Sequence, residues 1–163
     1  VPQDANPDRA AVIVRMEPAL HLKGDPARGA AITARLCLSC HYLQGRGQRV
    51  GPDLSSTGTR PADQLLTDIL DPNRQVAPDY AAYEIRRVTG EPVIGMISSE
   101  TATRLTVRAP GSPDLSVARA EIQEIHSTGR SLMPEGLEQG LTPQDLAHLL
   151  AFLRVPDASL LPP

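Results

Sequence analysis

The stretch CLSCHYLQGRGQRVGPDL, residues 37–54, holds both cysteines of the chain and one of its four histidines. Cys37 and Cys40 stand three apart and His41 follows directly. Two thiols at that spacing can each add to one of the two vinyl groups of a porphyrin, giving two thioethers. The next residue then supplies a ring nitrogen to the iron, which makes C-x-x-C-H a c-type haem attachment pattern. The other ring N–H of such a histidine needs an acceptor that fixes the ring. Three other readings fit the cysteines alone. A thioredoxin-like dithiol needs a βαβ setting, and none precedes Cys37. Half a zinc site needs further ligands, but there is no second cysteine pair and the remaining histidines are scattered at 21, 126 and 148. The third is a pair of buried cysteines.

Outward from this stretch, composition narrows the function classes. The chain has 163 residues and is 40% hydrophobic, enough for one domain, or one domain with an insertion, around a core. Aromatics are few: Tyr42, Tyr80, Tyr83 and Phe152, with no Trp. A core this poor in rings packs aliphatics or is filled by a cofactor. The net charge is −3 and no basic stripe appears, which argues against nucleic acid as a partner. No apolar run approaches the ~20 residues of a membrane span. The opening VPQDANPDR has no signal-peptide pattern and reads as a mature or trimmed terminus.

Residues 1–23, with Pro2, Pro7 and Pro18 around AAVIVRM, read as an N-terminal arm with one strand or a turn of helix. Asp25 as N-cap, Pro26 at the first helical position and the alanines after it predict a helix over about 26–38. A Gly-rich loop follows. PADQLLTDILDP predicts a helix over about 62–70, with Leu65, Leu66, Ile69 and Leu70 on one face. From about 80 the period shortens. YEIRRV, PVIGMISS, RLTVRA and LSVARAEIQEI, separated by the turn signals TGEP and PGSPD, predict an antiparallel meander over about 82–125. Thr142, Pro143 and Asp145 open a helix over about 143–154, with Leu146, Leu149, Leu150 and Leu153 as its apolar face and His148 on the polar flank.

GDPARGAAITARLCLSCHYLQGRGQRVGPDL resembles the N-terminal half of a class I cytochrome c. LLTDILDPN, YAAYEI, GMISSETATRLTV and SLMPEGLEQGLTPQDLAHLLAFL are similar to the haem-binding domains abundant in planctomycetes and verrucomicrobia. In those domains a β-rich segment interrupts the cytochrome fold, often in fusion with sugar-dehydrogenase-like propellers. The resemblance covers about residues 24–155. It implies a mainly α fold, a class I cytochrome c with a small antiparallel sheet inserted between the second and last helices, α+β overall. It sets the haem domain at 24–155 with its β-rich insertion at about 82–125, and a C-terminal tail at 156–163.

The resemblance also implies roles for residues. Cys37 and Cys40 would carry one haem c, His41 would be the proximal iron ligand, and the carbonyl of Pro52 would accept the N–H of its ring. Gly29 on the first helix would receive Phe152 from the last. Thr33 stands where the family usually has an aromatic. Met133, in the Pro- and Gly-bounded loop before the last helix, is the expected distal ligand, so that the metal ligands are His41 and Met133. His126 is its rival. Met96 and Met16 read as packing, His21 and His148 as surface, and Tyr80 and Tyr83 as packing beside the sheet, with a propionate contact as the alternative. Arg46, Arg49 and Arg60 read as mostly solvated, with a propionate pairing by one of them as the alternative. The implied function is one-electron transfer with redox partner proteins such as a dehydrogenase or an oxidase, without catalysis, in the periplasm or another exported location. A haem-based sensor or gas-binding module with a labile distal ligand is the alternative.

Overall fold

The computed structural model describes residues 7–163; residues 1–6, part of the expected arm, lie outside the described residues. The described chain forms two compact units. The first joins the chain up to Arg74 with Pro134–Pro163, and the second is Gln75–Met133.

The first unit is helical. α1 (Pro7–Met16) and a 3-10 turn (Glu17–Leu20) occupy residues expected to be an arm. Of the prolines that suggested an arm, Pro7 and Pro18 stand where a helix tolerates them: Pro7 is the first residue of α1, and Pro18 lies in the first turn of the 3-10 segment, so neither breaks a ladder. Val12, Met16 and Ala19 are buried in the core of this unit. α2 (Pro26–Leu36) starts on the Asp25 carboxylate, which accepts from Ala27 N–H at 2.9 Å. It ends two residues before the expected position, with Cys37 as its C-cap. α3 (Ala62–Leu70) and α4 (Pro143–Arg154) coincide with the expected spans, and α4 opens with a full capping box between Thr142 and Asp145.

α2 and α4 pack without room for a side chain between them. A Cβ on Gly29 would stand 2.0 Å from the His148 carbonyl oxygen and 2.7 Å from the Cβ of Phe152. One on Gly24 would meet the Ala147 oxygen at 2.1 Å. Phe152 is fully buried, so the sequence-based pairing of Gly29 with Phe152 holds. His148, expected at the surface, is buried at 8% exposure. Its Nδ1 accepts the Asp25 N–H at 2.8 Å, which satisfies a donor at the start of α2 and makes a histidine acceptable on a packed face.

The second unit corrects the expected fold class. After a short hairpin of β1 (Tyr42–Leu43) and β2 (Arg46–Gly47) in the first unit, five antiparallel strands, β3 (Ala81–Arg87), β4 (Val93–Glu100), β5 (Arg104–Arg108), β6 (Leu115–Ala118) and β7 (Ile122–Ser131), form one sheet in the order β6-β5-β4-β3-β7. With strand at 24% against helix at 38%, the chain is α+β and not the mainly α class I cytochrome fold that the motifs implied. The reason is extent. Strands run on to Ser131, and the sheet carries its own core of Ile85, Leu105, Val107 and Val117, with Tyr83, Val93, Ile97 and Ile122 packed on it. β3 to β6 follow as a meander, but β7 returns to pair with β3 on its far side. Register shifts at Ala81/Tyr83 and Arg86/Arg87 between β3 and β7, and at Ile97/Ser99 between β4 and β5, add local twist. Met96 is buried on β4 and His126 is exposed on β7. Among the described residues no helix is long and apolar enough to cross a membrane.

Candidate functional site

The candidate site is built by the turn that ends α2 and the loop that returns to it. Cys37 N–H closes α2 on the Thr33 carbonyl at 2.9 Å. His41 N–H then bonds the Cys37 carbonyl at 2.8 Å and Cys40 N–H bonds it at 3.0 Å, so Cys37 to His41 make one tight turn. Thr33 has no exposure, and its hydroxyl donates to the Gly29 carbonyl, which lets a polar side chain fill a buried position.

After His41 the chain forms a small hairpin of β1 (Tyr42–Leu43) and β2 (Arg46–Gly47). Its corner residues are left-handed: Gln44 at φ 43 and Gly45 at φ 97. Two positive φ values in succession suit the two-residue hairpin that follows the strand twist. Gln44 is strained there as a non-glycine, and three hydrogen bonds hold it. Its N–H reaches Ser55 Oγ at 2.9 Å, its side chain donates to the Pro156 carbonyl at 3.0 Å, and its Oε1 accepts from Ala158 N–H at 3.0 Å. The C-terminal tail is thereby part of the site's support.

The hairpin turns the chain back onto the cysteine turn. Val50 N–H and Gly51 N–H both donate to the Cys40 carbonyl, at 2.9 and 2.7 Å. That brings Gly51 and Pro52 against the His41 imidazole. His41 Nδ1 is 2.7 Å from the Pro52 carbonyl oxygen. A carbonyl only accepts, so Nδ1 carries the proton and Nε2 keeps its lone pair in the neutral ring. Burial pushes the imidazole below its ordinary value, and the Pro52 bond offsets only part of that, so the ring stays neutral near pH 7. Gly51 is the residue that the sequence reading missed. A Cβ there would lie 2.5 Å from His41 Cε1 and 2.8 Å from Nδ1. The signal was present as a glycine immediately before the proline whose carbonyl was singled out.

Both thiols are free and partly exposed. Burial, with the neighbouring Cys40 adding to it, pushes the Cys37 thiol up to about 12, and Cys37 packs against the core of the helical unit. Among the described residues no group of three or more His, Cys, Asp or Glu stands together as a metal site. Arg46, Arg49 and Arg60 are exposed, as expected; Arg49 lies over the Tyr42 ring at 3.6 Å from its centroid, and Arg46 donates to the Pro162 carbonyl at 2.9 Å. Arg60 pairs with Asp68. Met133 closes the second unit, its N–H bonded to Ser131 Oγ at 3.0 Å. Cys37, Cys40, His41 and Pro52 are thus gathered in the first unit, and Met133 belongs to the second.

The donor set fits covalently attached haem. It has two unoxidised thiols on one turn, a neutral imidazole of fixed tautomer with Nε2 uncommitted, and a glycine where any side chain would displace that ring. No protein-family model matches the chain, and no curated protein matches it.

Proposed function

We propose that the chain is a mono-haem c-type cytochrome that carries single electrons between redox partner proteins, without catalysis of its own. The observation that carries this reading is the 2.7 Å bond from His41 Nδ1 to the Pro52 carbonyl, made by a histidine that directly follows a free Cys37/Cys40 pair. Haem supplies a one-electron iron couple when bound. Cys37 and Cys40 would hold it through thioethers, and His41 Nε2 would bind the iron. The Pro52 carbonyl orients the ring and, by polarising Nδ1–H, makes Nε2 a stronger donor. Gly51 keeps the ring's near face clear. Met133 is proposed as the distal ligand on its place in the sequence. A neutral thioether favours ferrous iron and raises the potential. Attachment of this kind is completed outside the cytoplasm, so a periplasmic or otherwise exported location goes with the proposal.

Expression with a c-type maturation system and acid-acetone extraction tests it. The chain should keep one haem mass after extraction, and Cys37→Ser with Cys40→Ser should abolish it. Haem that extracts freely, or is never acquired, refutes the reading.

A further inference from the structure

One buried charge pair lies outside the cluster of Cys37, Cys40, His41 and Pro52. Arg9 on α1 and Glu138, in the segment between Met133 and α4, are buried at 9% and 3% exposure. Arg9 Nη2 bonds Glu138 Oε1 at 2.8 Å and Nη1 bonds Oε2 at 3.2 Å. Nη1 also donates to the carbonyl of Leu70, the last residue of α3, at 3.0 Å. One guanidinium therefore ties α1 to two chain segments: the one that leaves the helical unit and the one that returns to it. A second tie lies beside it, Asn73 Nδ2 to Glu135 Oε1 at 2.7 Å.

A buried ion pair is rarely a more stable choice than well-packed apolar side chains of the same volume. What it supplies is direction, because a forked donor meets a carboxylate in one geometry. The direction fixed here is that of residues 134–141, which contain Gly136 and Gly140 at φ 90 and 80. That segment starts directly after Met133 and lacks a helix or strand of its own.

Resting on the His41/Met133 reading above, we propose that Arg9 and Glu138 are positioning residues for the distal ligand. The clamp fixes the backbone on the C-terminal side of Met133, so that its sulfur is presented to iron and not left among the conformers of a free loop. α1, which carries no residue of the attachment motif, becomes part of the redox site through one side chain.

The test compares haem-loaded variants. Arg9→Met with Glu138→Leu replaces the pair by apolar side chains and keeps a folded core. Arg9→Lys keeps the charge and loses the fork. Val12→Ala weakens the same helix and keeps the clamp. Met133→Ala is the reference for an open site. Clamp variants should retain covalent haem and bind CO in the ferrous state roughly tenfold more readily than the parent, equivalent to about 1.4 kcal/mol of ligand positioning. Amide exchange over 134–141 should quicken in parallel, and Val12→Ala should change neither. Clamp variants that bind CO like the parent, or a Val12→Ala that matches them, overturn the proposal and leave the reading standing. If Met133→Ala itself does not open the site, the distal-ligand reading falls and the proposal falls with it.

Discussion

His41 is held by contacts that lie within eleven residues of it, and the tightest comes from a residue without a side chain. Gly51 stands where a methyl group would be 3.0 Å or less from three ring atoms of His41. The ring cannot simply swing away, because the Pro52 carbonyl fixes Nδ1. Gly51→Ala should therefore break or lengthen that bond, at about 0.5–1.5 kcal/mol for the hydrogen bond alone. Nitrogen-15 shifts of the imidazole in the haem-free chain should move from a single Nδ1–H tautomer towards a mixture. An unchanged tautomer in Gly51→Ala would show that the ring has other support. A second residue-scale expectation concerns His148. His148→Leu leaves the Asp25 N–H without its acceptor beneath α4, so chemical denaturation should show a loss of about 1–3 kcal/mol.

At the scale of elements, the Arg9–Glu138 pair sets an acid limit on the packing of α1 against the returning segment. Burial alone would push the Glu138 carboxyl up. The Arg9 hydrogen bonds, its own N–H and the charges of Arg9 and Arg15 together bring it below the ordinary value. A depressed carboxyl stabilises the fold fully above its unfolded value of about 4.3, and that share is lost as pH falls through the lower folded value. Stability measured by urea unfolding should accordingly fall below about pH 4. Arg9→Met with Glu138→Leu should flatten that part of the profile, and an equally steep fall in the double variant would assign it to other carboxylates. The helices themselves were legible. Asp25-Pro26, Thr142-Pro143-x-Asp145 and the leucines of α3 and α4 are local signals, satisfied within a turn or two. α1 was not, because Pro7 and Pro18 break a helix in its interior and open one at its start, and which applies depends on where the chain begins to pack.

For the whole molecule, the two units each carry a core of their own. Arg74 and Pro134, where the helical unit is interrupted, adjoin residues tied by the Asn73–Glu135 bond. Excising Gln75–Met133 and joining the ends with a short Gly/Ser linker should leave a helical unit that unfolds cooperatively and still takes haem covalently. On the proposed reading the distal ligand Met133 would be gone, so its ferrous form should bind CO. A product that neither folds nor carries haem would mean that the sheet is needed for the helical unit to form.

The sequence by itself determined the Cys37–Cys40–His41 turn, and the resemblance it carries pointed to Pro52, whose carbonyl accepts from His41 Nδ1. All of these lie within sixteen residues, and their geometry follows from chain connectivity and a few backbone bonds. The Gly29–Phe152 contact was carried by the resemblance, and the structure supplies its reason: a Cβ on Gly29 would clash with the His148 carbonyl and Phe152. The sequence did not determine the fold class. Alternating apolar residues announce strands but not their partners, so the place of β7 beside β3 and the weight of a sheet with its own core emerge only when the strands pair. Nor did it announce His148, Arg9 or Glu138 as buried. A polar side chain goes inside only where a distant partner satisfies it, and Asp25 N–H for His148, or Glu138 for Arg9, lies more than 120 positions away along the chain.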